Sequence, residues 1–583
     1  MRTSFKHQVA LGAVGATLLG LLTTVPAHGA ASPDLTVDGV PAVVPQPVTE
    51  TAGTDGGFPL GLTTSIVITD PALQSIADYL AGLLRPATGL RLPITVGSAR
   101  STGAIVLDDS DQAALGDEGY TLASDASSVL IMSHAPAGLF HAIQTLRQLL
   151  PTQIEQSSRV DLAWTVPSVS IVDTPRYPYR GVMIDVARHF YSVANIERVI
   201  DQAAMYKLNV LHLHLSDDQG WRIAINAYPD LTTVGSLVAG RPGFYSQQDY
   251  RDIVAYAAAR YITVVPEIDG PAHTTAAVTA MRTGTDPADI PIDPANPADN
   301  ANVEAFLTHV AAEISALSPG PYFHIGGDES SLPAGQYDHW VTAAASASAL
   351  AGRTAMGWSQ IGGDPGLPAG SVLQYWSGKS GNDTGDGLAP GLTNGDKLVL
   401  SPSDAAYFDM KYDPSTPLGL TWAGYLPLSR AYDWNPDSVV AGIYAANHLT
   451  ITDDRLLGVE APLWADTVPA SYTDAQVPTY SDFMLLPRLP ALAEVGWSPQ
   501  STHDWAGFSA RVATQAPRWT DHGYGFYASP EVQWIGFVPQ PTVSTLANGA
   551  TLPASPATLA GTGVAGDTVR VTEGTGTVCA APV

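Results

Sequence analysis

Two adjacent carboxylates, Asp328 and Glu329, follow the short apolar segment 322–325 and a pair of glycines. A glutamic acid held at a strand end in a partly apolar pocket can keep its proton near neutral pH and act as a general acid. Its ionised neighbour can stabilise a positive charge that develops during a reaction. Two carboxylates with such different tasks are typical of glycoside hydrolysis. An Asp-Glu pair can also simply cap the next helix, so the interpretation depends on the surrounding sequence.

The elements that must position this pair form a repeated pattern of strand, loop and helix that begins at Tyr179. Apolar runs predict eight strands, at 181–186, 210–215, 262–268, 322–325, 354–358, 372–376, 397–400 and 457–464. Apolar residues at three- and four-residue spacing predict helices at 194–207, 247–260 and 303–317. Eight such units predict an α/β fold, a (β/α)8 TIM barrel.

Polar or aromatic residues follow every one of the eight predicted strands. In such barrels the active site lies where the strands end and the loops begin. The residues at these positions are Arg188, His189, Asp217, Asp218, Asp269, His273, Asp328, Glu329, Trp358, Trp376, Tyr407, Asp409, Trp464 and Asp466. Packing alone does not explain them, so they predict a functional site. His212 and His214 alternate on the second strand and are interpreted as hydrogen-bonded core residues, and Glu494 and Trp497 as structural.

The rest of the chain divides into further segments. Residues 1–31, with basic residues before the apolar run 9–22 and small residues after it, predict a signal peptide and therefore secretion. Residues 35–172 predict a small α+β domain before the barrel at 173–537. Residues 538–583 are interpreted as a Pro/Thr/Gly-rich linker and a fragment of an immunoglobulin-like module, which is too short to close a sandwich of about 100 residues.

Composition excludes several classes of partner. The formal net charge of −28 argues against nucleic acid and anionic membrane surfaces. No stretch after the leader has the roughly 20 uninterrupted apolar residues of a membrane span. The single cysteine, Cys579, allows no intrachain disulfide, and zinc-type Cys/His spacing is missing from the sequence. We therefore expect no metal and no cofactor.

Several motifs in this order resemble glycoside hydrolase family 20, the β-N-acetylhexosaminidases. They lie at 180–190, 208–222, 265–269, 324–329, 407–412, 458–464 and 487–499, and segment 138–150 resembles the family's N-terminal domain. The resemblance implies that Glu329 is the general acid, that Asp328 orients the 2-acetamido group of the substrate, and that Tyr407 hydrogen-bonds the carbonyl of that group. The carbonyl oxygen would itself attack the anomeric carbon and form an oxazolinium intermediate, so the substrate brings the nucleophile.

The resemblance also implies roles for the remaining residues. His273, with Asp217 or Asp269 nearby, would tune the acid. Arg188 would bind ring hydroxyls as a fork with several donors, and Asp409 would do so from the other side. The sugar ring and the acetamido methyl group would be enclosed by three aromatic side chains, Trp358, Trp376 and Trp464.

Three positions depart from the family pattern. Residues 270–273 read Gly-Pro-Ala-His where the family usually has Met-Pro-Gly-His, and residues 358–360 read Trp-Ser-Gln where Trp-Asp-Glu is frequent. Asp466 stands where the family normally has a glutamate that contacts the outer hydroxyls, and its side chain is one methylene shorter.

The resulting expectation is a secreted, retaining exo-β-N-acetylhexosaminidase that acts on terminal GlcNAc or GalNAc of glycans or chitooligosaccharides. Two alternatives remain. One is a lacto-N-biosidase-type member that releases a disaccharide, and the other is a non-catalytic carbohydrate-binding surface protein.

Overall fold

The computed structural model describes residues 36–37, 39–110, 112–382 and 387–535 in full. It describes the backbone of five further strands, Ser4–Val9, Thr542–Val543, Ala557–Thr562, Thr568–Glu573 and Gly576–Pro582. The chain forms two compact units, one spanning Leu35–Gln533 and the other composed of Met1–Asp34 with Trp534–Val583.

The larger unit contains a closed barrel of eight parallel strands that pair in chain order. The strands are Tyr179–Asp185, Val210–His214, Thr263–Glu267, Tyr322–His324, Thr354–Trp358, Val372–Tyr375, Lys397–Leu400 and Leu456–Leu463. Each of the eight predicted strands is present, with ends that differ by a few residues at most. The predicted TIM barrel is therefore confirmed.

The barrel interior changes from apolar to polar along the strands. Near the N-terminal ends, one buried cluster joins Tyr179, Val210, Val265, Met356, Val372 and Val399. Because inward-facing positions recur every second residue of a strand, the next interior positions belong to His212, Glu267, Trp358, Gln374 and Ser401, all of them buried. A polar layer therefore lies between the apolar base of the barrel and its C-terminal end.

Helices and short helical turns connect the strands. The α-helices of the barrel domain are Val193–Met205, Asp230–Thr233, Gln247–Ala258, Thr275–Thr283, Asn300–Leu317, Ala334–Leu350, Leu388–Asn394, Leu428–Tyr432, Pro436–Ala446, Val477–Leu485, Arg488–Trp497, Trp505–Ala513 and Ala516–Asp521. Ser246 begins one of them with a capping box, in which the Asp249 carboxylate accepts from the backbone N–H of Ser246 and the serine hydroxyl accepts from the backbone N–H of Asp249. The three helices predicted from periodicity are all present.

An α+β domain precedes the barrel, as predicted. Its seven-stranded sheet has the spatial order Thr49–Ala52, Val169–Asp173, Tyr120–Ser124, Val129–Ser133, Ala104–Asp108, Ser65–Ile68 and Ile94–Val96. Two helices, Gln74–Thr88 and Pro136–Leu149, accompany the sheet. Ion pairs with buried cations connect this domain to the barrel: Lys207 Nζ lies 2.9 Å from Asp173 Oδ2, and Arg180 donates to Glu118 across 2.6 Å. Because each charge has a partner, the interface tolerates burial of both.

In the smaller unit the described backbone consists of paired strands. Ser4–Val9 runs antiparallel to Ala557–Thr562, and Thr568–Glu573 runs antiparallel to Gly576–Pro582. Most of the predicted signal peptide and much of the predicted linker and immunoglobulin-like fragment at 538–583 lie outside the described residues. Among the helices that are described, none combines the length and the apolarity needed to cross a membrane.

Candidate active site

The loop after the fourth barrel strand depends on two glycines with left-handed backbone, Gly326 (φ 67°) and Gly327 (φ 104°). A Cβ atom on Gly326 would lie 1.6 Å from Asp269 Oδ1, so any side chain there would displace this carboxylate. The backbone N–H of Gly327 donates to the same oxygen across 3.2 Å. Asp269 thus supports the turn that brings the next two residues to the mouth of the barrel.

Glu329 lies at that mouth beside His273, and both residues have positive φ, 49° and 57°. Glu329 Oε2 lies 3.4 Å from His273 Nε2, and its side chain is 62% exposed. On the other side of the imidazole, Nδ1 lies 3.5 Å from Asp217 Oδ1. Burial opposes the effect, but the contact with Asp217 and the charges of Asp269 and Asp328 raise the pKa of His273 to about 10. Asp217 is therefore the direct partner of His273, whereas Asp269 holds the loop.

Asp328 is the less exposed member of the carboxylate pair. Its Oδ2 lies 3.9 Å from His273 Nε2, whereas its Oδ1 is buried and has no hydrogen-bond partner among the described residues. Burial and the neighbouring carboxylates of Glu267 and Glu329 raise the pKa of Asp328 to about 6, against the opposing charge of His273. The group is therefore ionised at neutral pH and loses its charge as the pH falls through 6.

Aromatic rings enclose the space in front of these carboxylates. The ring centroids of Trp358 and Trp464 lie 5.6 Å apart, and the ring of Tyr407 is 6.4 Å from that of Trp464. Burial, reinforced by the charge of Asp328, holds the pKa of Tyr407 well above its usual value, so its hydroxyl remains a donor. Trp376 donates from Nε1 to Gln360 Oε1 across 3.1 Å. Gln360, one of the residues that depart from the family pattern, therefore helps to position Trp376.

Charged side chains close one edge of the site. The Arg188 guanidinium lies 4.9 Å from the ring centroid of Trp464, 2.9 Å from Asp217 Oδ2 and 3.5 Å from Asp466 Oδ1. Asp409 is buried, and neither of its carboxylate oxygens has a hydrogen-bond partner within the described part of the chain. Its burial, with the nearby charge of Asp466, raises the pKa of Asp409 to about 8. Leaving buried polar groups unpaired costs free energy, which is recovered when a polar ligand supplies the partners.

The structure thus brings the twelve residues to which the family resemblance assigns a role to the C-terminal end of the barrel, where most are linked by direct contacts. Trp376 joins the others through Trp422, whose ring lies 6.2 Å from that of Trp376 and 5.6 Å from that of Tyr407. Sequence reasoning missed Trp422, which is 55% exposed, because it lies in a long loop far from any strand end. It also missed the buried Glu267, although this residue lies within the recognised motif 265–269.

Within the described residues, four groups of three His, Asp or Glu side chains have ligand-type atoms within 4.8 Å of one another. One group is His273, Asp328 and Glu329; the others lie around Glu267 and Asp269. Several imidazoles in these groups pair directly with carboxylates. In these groups the imidazoles can donate protons to the carboxylates that lie beside them.

Models of two protein-family domains match this chain. "Glycosyl hydrolase family 20, catalytic domain" matches residues 177–347 and 334–500, and "Glycosyl hydrolase family 20, domain 2" matches residues 40–174. The chain belongs to glycosyl hydrolase family 20. The β-N-acetylhexosaminidase of Cellulomonas fimi is 39% identical over 514 residues, which cover 85% of this chain and 97% of that protein.

Solved structures of this family agree. The β-N-acetylhexosaminidase of Streptomyces coelicolor A3(2) is 40% identical with a TM-score of 0.75, covering 85% of this chain and 99% of that one. The enzyme of Streptomyces plicatus in complex with Thio-NAglucal has the same identity and TM-score, covering 85% of this chain and 98% of that one. The predictions of the family, of the fold and of the enzyme class, a β-N-acetylhexosaminidase, are confirmed.

Proposed function

We propose that this family 20 enzyme is a secreted, retaining exo-β-N-acetylhexosaminidase that removes terminal GlcNAc or GalNAc through an oxazolinium intermediate. The observation that carries the proposal is the unpartnered, buried Oδ1 of Asp328 beside Glu329 in an aromatic pocket. A neutral acetamide offers what that pocket needs, an N–H for the carboxylate and a methyl group for the tryptophan rings. One related structure, a Streptomyces plicatus mutant, is described as a complex with the product GlcNAc.

In the first step, Asp328 accepts the acetamido N–H and Tyr407 donates to the acetamido carbonyl. The carbonyl oxygen forms a bond to the anomeric carbon while the glycosidic C–O bond breaks, and Glu329 gives its proton to the departing oxygen. The ring that forms carries a positive charge, which ionised Asp328 stabilises. In the second step Glu329 takes a proton from water, which attacks the anomeric carbon and reopens the ring. Two inversions at one carbon give net retention.

The polar edge of the site supports cleavage from the non-reducing end. Arg188, Asp409 and Asp466 lie together beside Trp464, where the outer hydroxyls of a terminal sugar would meet them. The unpaired oxygens of Asp409 supply hydrogen-bond partners for such hydroxyls. A terminal sugar fits this arrangement because its hydroxyls are free.

A chromogenic β-GlcNAc substrate tests the activity, and a matched β-glucoside tests the mechanism. We expect hydrolysis of the first and almost none of the second, because the glucoside lacks the attacking carbonyl. A thiazoline analogue of the intermediate should inhibit tightly. A sugar ester trapped on a protein carboxylate and detected by mass spectrometry would contradict the mechanism. Release of a disaccharide from lacto-N-type glycans, with no action on single terminal sugars, would favour the lacto-N-biosidase alternative, and binding without hydrolysis would favour the carbohydrate-binding one.

Secretion rests on the leader sequence alone. Expression of the full chain in a secreting bacterial host should give enzyme in the culture medium with a new N-terminus between about Gly29 and Ala31. Intact Met1–Asp34 on protein retained in the cells would contradict this part of the proposal.

Asp466→Glu restores the side-chain length that the family normally has at this position. Asp466 is 43% exposed on its side chain and only loosely paired with Arg188, at 3.5 Å. We expect the longer carboxylate to change KM or the GlcNAc:GalNAc preference, with a modest effect on kcat, because it contacts outer hydroxyls rather than the reacting atoms. Steady-state kinetics on both aryl substrates measure this. If neither KM nor the preference changes, Asp466 does not contact the sugar.

A further inference from the structure

A column of alternating carboxylates and imidazoles runs through the polar layer of the barrel. It consists of Glu460, His212, Glu267, His214 and Asp217, all buried. Glu460 Oε1 lies 2.9 Å from His212 Nδ1, and His212 Nε2 lies 3.1 Å from Glu267 Oε2. The same glutamate oxygen is 2.6 Å from His214 Nδ1, and His214 Nε2 is 3.0 Å from Asp217 Oδ2. The column ends at Asp217, which is also the direct partner of His273.

Glu267, the central member, also contacts the wall of the pocket. Its Oε1 accepts from Trp358 Nε1 across 3.1 Å and lies 3.0 Å from Nδ1 of His324, which is on the fourth strand. Glu267 therefore contacts both Trp358, whose ring encloses the space for the acetamido group, and His214, which is connected to the general acid through Asp217 and His273.

We propose that Glu267 is a positioning residue that orients Trp358 and, through His214, Asp217 and His273, sets the charge around the proton of Glu329. This inference rests on the proposed function, because it assigns the acetamido space to Trp358 and the acid role to Glu329. Glu267 itself does not contact the substrate. It acts by holding Trp358 on one side, and His273 with Glu329 on the other, in their positions relative to each other.

The protonation of the column follows from its geometry. His214 can donate to both Glu267 and Asp217 only if both of its nitrogens carry protons, whereas His212 Nε2 lies close to Glu267 as an ion pair without being aligned for a hydrogen bond. In agreement, burial is outweighed by the charges of Glu460 and Glu267, which raise the pKa of His212 to about 9. Glu267 likewise holds the pKa of His214 well above its usual value, against the effect of burial. At neutral pH the column therefore contains three negative and two positive groups.

Other charged or titratable groups face the column from the elements packed around it. They are Asp185 and Arg188 beside Asp217, and His324, Asp269 and Asp328 around Glu267. Tyr179 donates to Glu460 at the opposite end. Because Asp269 and Asp328 are acidic, the negative charge of Glu267 is compensated mainly by the imidazolium rings of His212 and His214.

Glu267→Gln tests the proposal with an isosteric change. The amide oxygen can still accept from Trp358, but the amide NH2 then faces His214, which must accept with Nδ1 and so becomes neutral. The substitution therefore removes the negative charge of Glu267 together with the positive charge of His214, which is the imidazole in contact with Asp217, the partner of His273. The surroundings of His273 and Glu329 become more negative, which opposes the loss of protons from this part of the site.

We expect Glu267→Gln to lower kcat roughly 10–100-fold, the size of effect that loss of an outer hydrogen-bond partner has at metal sites, and to move the alkaline limb of the kcat/KM profile to higher pH. Glu460→Gln is the matched control, because it neutralises an equally buried carboxylate that also contacts His212 but touches neither Trp358 nor His214. We expect it to leave the pH profile unchanged. Equal losses for both variants, or an unshifted profile for Glu267→Gln, would overturn the proposal in favour of a purely structural role.

A measurement on the unmodified enzyme keeps the inference testable if either variant fails to fold. The imidazole ¹⁵N signals of His212 and His214 should be those of imidazolium at pH 7. Neutral rings would overturn the inference regardless of activity. Lack of hydrolysis of β-GlcNAc substrates by the unmodified enzyme would instead refute the proposed function, so the two failures are distinguishable.

Discussion

Glu329→Gln is expected to slow hydrolysis of substrates with poor leaving groups by about 10²–10⁴-fold, the usual contribution of general acid catalysis. Glutamine keeps the shape of the side chain but cannot give up a proton. Aryl glycosides with good leaving groups need less protonation, so their loss in kcat should be smaller. Measuring kcat and KM for chitobiose and for a series of aryl β-GlcNAc substrates tests this expectation.

The slope of log kcat against leaving-group pKa distinguishes the acid from a residue with another role. It should be steeper for the variant than for the unmodified enzyme, while KM changes little. Glu304→Gln, on the helix Asn300–Leu317 outside the site, is a suitable control and should retain the normal slope. A parallel loss for good and poor leaving groups would show that Glu329 is not the acid.

Asp328→Asn should cost about a thousandfold in kcat. A unit positive charge on the oxazolinium ring, about 4 Å from the carboxylate at an effective dielectric near 20, interacts with at most ~4 kcal/mol. That free energy corresponds to about three powers of ten in rate. The amide keeps one acceptor for the acetamido N–H, so substrate binding should suffer less than turnover. The affinity for a thiazoline inhibitor should fall together with kcat, because both depend on the same charge pair.

The pH profile gives a second test of Asp328. Because its pKa in the free enzyme is about 6, activity that needs the ionised form is present above pH 6 and is lost as the pH falls through that value. Asp328→Asn should remove this acid limb from the kcat/KM profile. Asp338→Asn, on the helix Ala334–Leu350 that follows the same loop, neutralises a nearby carboxylate and should keep the limb. An unchanged limb in Asp328→Asn would assign it to another group.

The barrel could be predicted from the sequence because each strand is a local, mostly apolar run bounded by turn residues. Helix ends were less predictable. The first helix, Gln74–Thr88, continues through Pro86, although a proline inside a helix removes a backbone hydrogen bond and favours termination before it. Ala87 and Thr88 are buried there and Gly89 ends the helix in left-handed conformation, so packing and the cap outweigh the local effect of proline.

The residue types of the site could be predicted to a similar extent, but which of these residues contact one another could not. Residue types at the strand ends placed Asp217 and Asp269 near His273 and left open which of the two is its partner. The answer depends on Gly326, whose lack of a side chain lets Asp269 bind the loop instead. His212 and His214 are core residues, as interpreted, but their link to Glu267 depends on which residues meet across a closed barrel. Spacing along one strand does not contain that information.

The left-handed backbone at Glu329 and His273 has a consequence for the evolution of this molecule. Each side chain in that conformation costs about 1 kcal/mol or more relative to ordinary backbone, whereas glycine or asparagine adopts it with little penalty. Replacing either residue by glycine should therefore lower turnover and yet relieve this backbone strain, which offsets the entropy that glycine adds to the unfolded chain. Selection for activity and selection for persistence oppose each other at these two positions. A homologue that is no longer under selection for activity would lose this backbone strain by replacing Glu329 and His273.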